Sequence, residues 1–144
     1  MAQTSGITKG PERIYMVSKN DTGAALVAGQ VVSWACDGTD DGIAVKACAT
    51  AALNNLVAGL AYAADANGDF GITLTYGLCD YGVIVHTNTA IVVADDLKVV
   101  SASSCLQRST AGADARVLRN MFAAAVAHAS SSGTDTMKIM VFCM

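Results

Sequence analysis

Short apolar runs recur along the chain, and residues that favour turns close each of them. The runs have strand length and follow one another at intervals of about 8–14 residues, with clusters such as KNDTG and DGTDDG between them. The runs are RIYMVS (13–18), GQVVSWAC (29–36), IAVKACA (43–49), LVAGLAYAA (56–64), ITLTYG (72–77), GVIVHT (82–87), AIVVA (90–94) and LKVVSA (97–102). This spacing predicts an all-β fold, either a small barrel or a sandwich.

Alternation within the runs agrees with strands. Ile43, Val45 and Ala47 fall on one face, and β-branched residues are dense from position 72 to position 100. No linker divides the predicted strands, so residues 13–144 are expected to form a single β-rich domain. Residues 1–12 are polar, lack periodicity and end near Pro11, so they are predicted to form a flexible N-terminal arm.

Two structures compete for residues 114–129, which read DARVLRNMFAAAVAHA. Alanine is the best helix former, and Asp114 is a suitable cap for a short helix here. The apolar side chains that share one helical face are Val117, Leu118, Met121, Phe122 and Ala125. The alternative is a strand from about Asn120 to Ala129, and the residues alone leave both structures open.

The case for a strand comes from the end of the chain. Residues 136–144 alternate as a strand does, and a buried strand needs a partner, which a hairpin through SSSGTD supplies. One side of this last strand carries Met137, Ile139, Val141 and Cys143.

The chain contains few charged residues for its size. Of the 144 residues, 53% are apolar and 15% are charged, where about a quarter charged is usual. Either other chains cover part of the surface in an obligate assembly, or Ser, Thr, Asn and Gly supply the polar surface. The net charge is −3 without a basic cluster, which argues against direct binding of nucleic acid.

Localisation follows from what the chain lacks in sequence. No apolar run reaches the roughly 18 residues of a membrane span, and the N-terminus has no apolar core of a signal peptide. We therefore expect synthesis in the cytoplasm and no association with a membrane. The five cysteines are widely separated and contain no CxxC, so most are expected to be reduced core residues.

The segment DANGD raises the question of a metal, because Asp65, Asn67 and Asp69 alternate as in a calcium loop. Counted from Asp65, however, position 6 is Phe70 rather than glycine and position 12 is Tyr76 rather than glutamate. Asp, Asn and Gly are also the residues that a tight turn selects. We interpret the segment as a turn and expect no metal site.

Candidate catalytic chemistry is equally sparse. The two histidines, His86 and His128, stand in an apolar run and at the end of an alanine run, and no GxSxG, GxGxxG or Walker A motif occurs. Trp34 and Tyr62 lie in apolar strands, where packing in the core or at an interface is the default. We assign no catalytic residue, no cofactor and no metal, and expect a protein that is not an enzyme.

A series of segments, taken in order, carries a family resemblance. RIYMVSKNDTG leads into ALVAGQVVSWA and is followed by DDGIAVKACA, LVAGLAYAADANGDFGITLTYG, GVIVHTNTAIVVADDLKVVSA and NMFAAAVAHASSSGTDTMKIMVFCM. Over residues 13–144 the chain resembles the small capsid decoration (cement) proteins of tailed bacteriophages. Residues 103–119 have no clear counterpart. The resemblance favours the strand at 120–129.

The resemblance implies a mechanical function. Such a protein binds the outer surface of an assembled phage capsid, commonly as a homotrimer, and clamps neighbouring copies of the major capsid protein. It implies a place on the virion surface after assembly in the host cytoplasm, with residues 1–12 as the arm that orders on a neighbour. The alternatives are a β-rich receptor- or carbohydrate-binding module, which needs an aromatic platform, and a small hydrolase that uses Cys or Ser with one of the histidines.

Overall fold

The fold is all-β in a computed structural model that describes residues 12–38, 40, 42–48, 56–86, 90–100, 104–109, 118–123 and 133–143. The expected fold class is confirmed, and these residues contain no α-helix. The strands are β1 (Ile14–Asn20), β2 (Val31–Trp34), β3 (Ala44–Ala47), β4 (Val57–Ala61), β5 (Phe70–His86), β6 (Asp96–Val99), β7 (Leu106–Arg108), β8 (Leu118–Ala123) and β9 (Gly133–Phe142). The predicted arm, except Glu12, lies outside the described residues.

The strand pairings close two rings that share β5. In the first ring the order is β1-β3-β2-β4-β5, and β5 returns to β1; in the second it is β5-β7-β6-β8-β9, and β9 returns to β5. Closure removes most free sheet edges, which would otherwise be open to pairing with other chains. Most neighbours are antiparallel, but β1–β3 and β5–β7 are parallel.

The length of β5 corrects one prediction. Residues 72–77 and 82–87 were expected to form separate strands, whereas a single strand of 17 residues runs from Phe70 to His86. Its first half pairs with β1 and its second half with β9, with a register shift between Cys79 and Gly82. The shift lets one strand bend from the first ring into the second, so no turn is needed between the two apolar runs.

Two apolar clusters fill the interior. The larger one joins both rings and includes Leu60, Leu74, Ile84, Leu106 and Ile139. The smaller one lies in the first ring and consists of Leu26, Val32, Val45, Ala58 and Ala61, with Trp34 packed against it. Every residue of β4 is buried, because one side of this strand faces each cluster.

Residues 90–94 do not form the predicted strand. Ile91 makes an isolated bridge, and a turn at Val93 and Ala94 follows it, with Ala94 at a φ of 69°. The Asp95 carboxylate accepts a hydrogen bond from the Val92 N–H at 2.8 Å, which closes this turn locally. The apolar side chains of Val92 and Val93 are therefore exposed.

Residues 118–123 and 133–142 form an antiparallel pair of strands. Residues 118–123 form β8, so a helix over these positions is wrong and the strand begins two residues before the predicted start. β8 pairs with β6 and β9, and this pairing overrides the helix propensity of the alanines. The predicted alternation of β9 is confirmed, since Met137, Ile139 and Val141 are buried. The rest of 114–129 lies outside the described residues.

Candidate interaction surface

Five large apolar side chains are exposed together on the outer side of the first ring. Val17 on β1 is the cross-strand partner of Ile72 on β5, and Phe70 lies two residues before Ile72 on the same face. Tyr15 lies two residues before Val17, and the Tyr62 N–H donates to the carbonyl of Ile72. We call these residues the β1–β5 face: Tyr15, Val17, Tyr62, Phe70 and Ile72.

The β1–β5 face is large for a small domain. Val17 is 67% exposed and Phe70 65% exposed, while the other three side chains are each more than a third exposed. With about 150–250 Å² for a whole aromatic side chain, the face exposes roughly 500 Å² of apolar surface. Apolar patches on monomers are usually no larger than about 300–600 Å², and the largest ones often mark a contact with a partner.

The inner side of the same strand pair is polar. Ser18, Asn20 and Thr73 are each at most 3% exposed, so the alternation of β1 and early β5 is inverted relative to a usual barrel wall. The Ser18 and Thr73 hydroxyls share a hydrogen bond of 2.8 Å. Polar side chains are thus buried and satisfied, while apolar ones face outward. This inversion is the strongest sign that something covers the outer face.

The buried Asn20 side chain satisfies several backbone groups of the neighbouring loops at once. Its side-chain amide donates to the carbonyls of Ala24 at 3.0 Å and Asp65 at 2.9 Å. Its carbonyl oxygen accepts from the Thr22 N–H at 3.0 Å. A buried side chain with these partners fixes β1 in the register that turns Val17 outward.

Three tyrosines line one end of the β1–β5 face. The rings of Tyr15 and Tyr62 meet edge to face, with centroids 4.9 Å apart and planes at 72°. The hydroxyl of Tyr81 donates to the carbonyl of Tyr62 at 2.8 Å and holds that loop in place. Tyr15, Tyr62 and Ile72 line a shallow depression of about 140 Å³. The perpendicular rings give a ridged surface rather than a flat one.

Ion pairs within the chain flank the β1–β5 face. Lys19 pairs with Asp40 at 2.6 Å, and Arg13 pairs with Asp80 at 2.8 Å. Hydrogen bonding to Asp40 raises the pKa of Lys19, and hydrogen bonding to Tyr15 and then to Asp80 raises the pKa of Arg13. Since these charges are matched locally, they do not give the face a potential of one sign.

The DANGD segment is the turn between β4 and β5, as predicted. The Asp69 N–H donates to the carbonyl of Ala66 at 3.1 Å, and Gly68 adopts a φ of 87°. The Asn67 side chain accepts from the Gly23 N–H at 2.8 Å, and the Asp65 carboxylate packs against Gly71, where it fills the space of a β-carbon. These side chains therefore hold the turn between β4 and β5 against the loop that contains Gly23.

The remaining residues singled out in the sequence lie apart. His86 is buried at the end of β5, and His128 lies outside the described residues. Trp34 packs against the smaller cluster and not on the surface face. The described part of the chain holds no group of three or more His, Cys, Asp or Glu side chains placed to bind a metal.

All five cysteines are free thiols, and three are buried as expected: Cys48, Cys79 and Cys105. Desolvation raises the pKa of Cys48 to about 11, and it raises the pKa of the half-buried Cys143 to about 12. Cys36 is exposed, which is compatible with the expectation that most, not all, of the cysteines lie in the core. A raised pKa keeps a thiol protonated and unreactive at neutral pH.

Similarity to known proteins is found in structure but not in sequence. No family model matches it, and no curated protein matches it. Among solved structures, it is similar to the N base of the head fiber protein gp8.5 of bacteriophage phi29, with 14% sequence identity and a TM-score of 0.49. The match covers 88% of this chain and 94% of that one. A likeness at this level of sequence identity and TM-score does not assign a function.

No helix among the described residues is both long enough and apolar enough to cross a membrane. The sequence had pointed to Tyr62 as a candidate for interface packing, and Tyr62 does lie on the β1–β5 face. It missed Tyr15, Val17 and Phe70, because strict alternation identifies two faces without telling which one is outside.

Proposed function

We propose that this protein is a structural component of a phage virion that binds the outer surface of the assembled capsid. In this role it clamps neighbouring copies of the major capsid protein and stabilises the shell. The observation that carries the proposal is the β1–β5 face, an apolar surface that needs cover by another chain of the shell and lies opposite the polar inner side of the same strand pair. The order of segments over 13–144, which resembles that of capsid decoration proteins, supplies the kind of partner.

The physical chemistry of the chain suits this role. Charged residues make up only 15% of the sequence, so little charge must be desolvated when other chains cover the surface. Many copies on a shell act together at fixed geometry, so the affinity of each copy can be modest. Partners in this proposal are the major capsid protein and further copies of this chain, as a homotrimer on the virion surface after assembly in the host cytoplasm.

Co-sedimentation with empty expanded capsids tests the capsid contact directly. The purified protein is mixed with capsids and its bound fraction is measured, with unexpanded capsids as the matched comparison. We expect saturable binding with a fixed number of copies per shell, and a higher temperature of capsid disruption. A protein that never sediments with capsids would contradict the proposal.

The N-terminal segment gives a second, separable measurement. Deletion of residues 2–11 is expected to weaken capsid binding, because a polar arm can order on a neighbour when it binds. The deletion removes no residue of β1, so the melting temperature of the domain should stay within a degree or two of the wild type. An unaltered binding curve would show that residues 2–11 do not contribute to capsid binding.

A β-rich receptor- or carbohydrate-binding module is the second candidate. The cluster of Tyr15, Tyr62 and Tyr81 favours it, since it gathers three of the four tyrosines at one place. A sugar ring stacks best on a flat aromatic platform, however, and Tyr15 and Tyr62 stand at 72° to each other. A glycan array with Tyr62→Ala as control separates the two functions, because specific glycan binding lost in this variant would support the module.

A further inference from the structure

Among the described residues, none pairs with Tyr15 or Val17 on the edge of β1 that faces away from β5. The N–H groups of Lys19 and Asp21 donate to carbonyls of Ile43 and Val45, and the β1–β3 pairing involves only Lys19 and Asn20 of β1. Backbone groups alternate in direction along a strand. The N–H and C=O groups of Tyr15 and Val17 therefore point to the same side as those of Lys19, where the described residues provide no partner.

The edge of β1 at Tyr15 and Val17 carries few of the devices that normally protect one. Natural edge strands carry lysine, proline or a bulge, or are covered by another element. A register shift lies between Ile14 and Tyr15, but residues 15–18 contain no lysine or proline, and their exposed side chains are Tyr15 and Val17. The only nearby cation on β1, Lys19, lies at the paired end and is engaged by Asp40. Both the backbone edge and the exposed side chains of β1 are therefore available for contact with another chain.

We propose that a second copy of this chain covers the β1–β5 face and pairs through the open edge of β1. This inference rests on the proposed function. It adds which of the two partners covers the face, namely another copy of this chain rather than the major capsid protein. An apolar and aromatic surface is typical of contacts between identical subunits. The ion pairs of Lys19 and Arg13 are closed within the chain, so no charge of one sign selects a basic or acidic partner.

The exposed area fits this occupant. A stable contact buries about 800 Å² on each partner, and its centre is more apolar than its rim. The roughly 500 Å² of the β1–β5 face matches such a centre. The backbone groups of Tyr15 and Val17 add directional hydrogen bonds, which are the source of affinity when a strand is added to a sheet edge.

Two substitutions at Val17 test the edge and the face separately. Val17→Pro removes an N–H that points to the open edge and takes no hydrogen bond from the β1–β5 ladder, so an edge strand tolerates it. Val17→Lys keeps the backbone and places a charge in the centre of the face. Val27→Lys is the matched control, since Val27 is a comparably exposed valine outside the face.

Mass is measured by size-exclusion chromatography with light scattering, folding by thermal melting, and capsid binding by co-sedimentation. We expect an oligomer for the wild type and Val27→Lys, and a single chain of 14.7 kDa for both Val17 variants, with cooperative melting retained. If Val17→Pro fails to fold, Val17→Lys decides alone.

A wild type that is a single chain, or Val17 variants that keep the wild-type mass, would overturn the inference. The same holds if Val17→Lys keeps its mass and loses only capsid binding, since the face would then belong to the capsid protein. Failure of the proposed function alone would give a different result. The Val17 variants would still dissociate, but even the wild type would not bind capsids.

Discussion

The hydroxyl oxygens of Ser18 and Thr73 lie 2.8 Å apart on the buried side of the β1–β5 pair. Their strand neighbours Val17 and Ile72 are cross-strand partners on the opposite, solvent side. A wall with polar side chains inside and apolar ones outside is stable only if the inner groups are satisfied. The hydrogen bond between the hydroxyls therefore permits the outward apolar face from which we infer assembly.

A double-mutant cycle measures that hydrogen bond. Ser18→Ala or Thr73→Val alone leaves one buried hydroxyl without its partner, and each should lower the free energy of unfolding by about 1–3 kcal/mol. The double variant leaves neither hydroxyl and should cost less than the sum of the two. Urea unfolding of the four proteins gives the coupling energy. Simple additivity would show that the two hydroxyls do not support each other.

The fold class could be predicted from the sequence because turn residues punctuate runs of strand length. The burial of Met137, Ile139 and Val141 was equally predictable, since residues 137–142 alternate regularly. Residues 90–94 could not be predicted, because their apolar composition suits a strand while the Asp95 side chain closes a turn. Local patterns report the propensity of a segment but not the side-chain contact that overrides it.

The candidate surface was less predictable than the fold. In β1, a standard reading of alternation buries Tyr15 and Val17 and exposes Ser18. The structure does the reverse, because Asn20 and Thr73 belong to a hydrogen-bonded interior that brings together residues far apart in sequence. Such a network is invisible in a single run of residues, and so is the surface on its opposite side.

Glycine at position 29 is expected to be required by a close approach between the two rings. A β-carbon there would overlap the Tyr81 carbonyl in the bend of β5, whereas at Gly23 nothing lies within 4 Å. Both glycines have a positive φ, 84° and 79°. Gly23→Ala should therefore cost about 1 kcal/mol from backbone strain alone. Gly29→Ala should cost more than about 3 kcal/mol, because the rings must move apart. Urea unfolding compares them, and equal costs would contradict the role of the approach.

Alkaline pH should destabilise the domain. The folded state holds the pKa of Cys48 at about 11 and of Cys143 at about 12, against 9.0 for a free thiol. Since the folded pKa is raised, this stability is present below pH 9 and is lost as the pH rises towards 11 and 12. Cys48 alone contributes about 3 kcal/mol to the loss, because its pKa rises from 9.0 to about 11 on folding. The melting temperature should fall over this range, and less steeply in Cys48→Ala.

The exposed Cys36 provides the control for the buried thiols. In the wild type, Cys36 should be the thiol that a maleimide labels first at neutral pH, because it is accessible while Cys48 is buried. Labelling of Cys48 before Cys36 would contradict the burial of Cys48.

Calcium should leave the melting temperature unchanged. The Asn67 oxygen is engaged by the Gly23 N–H, and the Asp65 carboxylate is packed against Gly71, so these groups are already used within the turn. A ligand that binds only the folded state raises its stability. Melting curves with added calcium and with a chelator should therefore coincide. A calcium-dependent rise that Asp69→Asn abolishes would show that the loop does bind the ion.

Asn20 is expected to be the most sensitive polar residue of the first ring. It is 1% exposed, and its side chain makes three hydrogen bonds, to the carbonyls of Ala24 and Asp65 and from the Thr22 N–H. Asn20→Ala removes all three and should lower the free energy of unfolding by about 2–4 kcal/mol.

Asn67→Ala is the matched control for this loss. Its side chain accepts one exposed hydrogen bond, from the Gly23 N–H, and its removal should cost less than about 1 kcal/mol. Because Asn20 fixes the register that turns Val17 outward, Asn20→Ala should also weaken self-association, which Asn67→Ala should leave intact. Urea unfolding gives the two free energies, and light scattering gives the mass of each variant. Equal losses for the two asparagines would show that burial of Asn20 adds nothing to its hydrogen bonds.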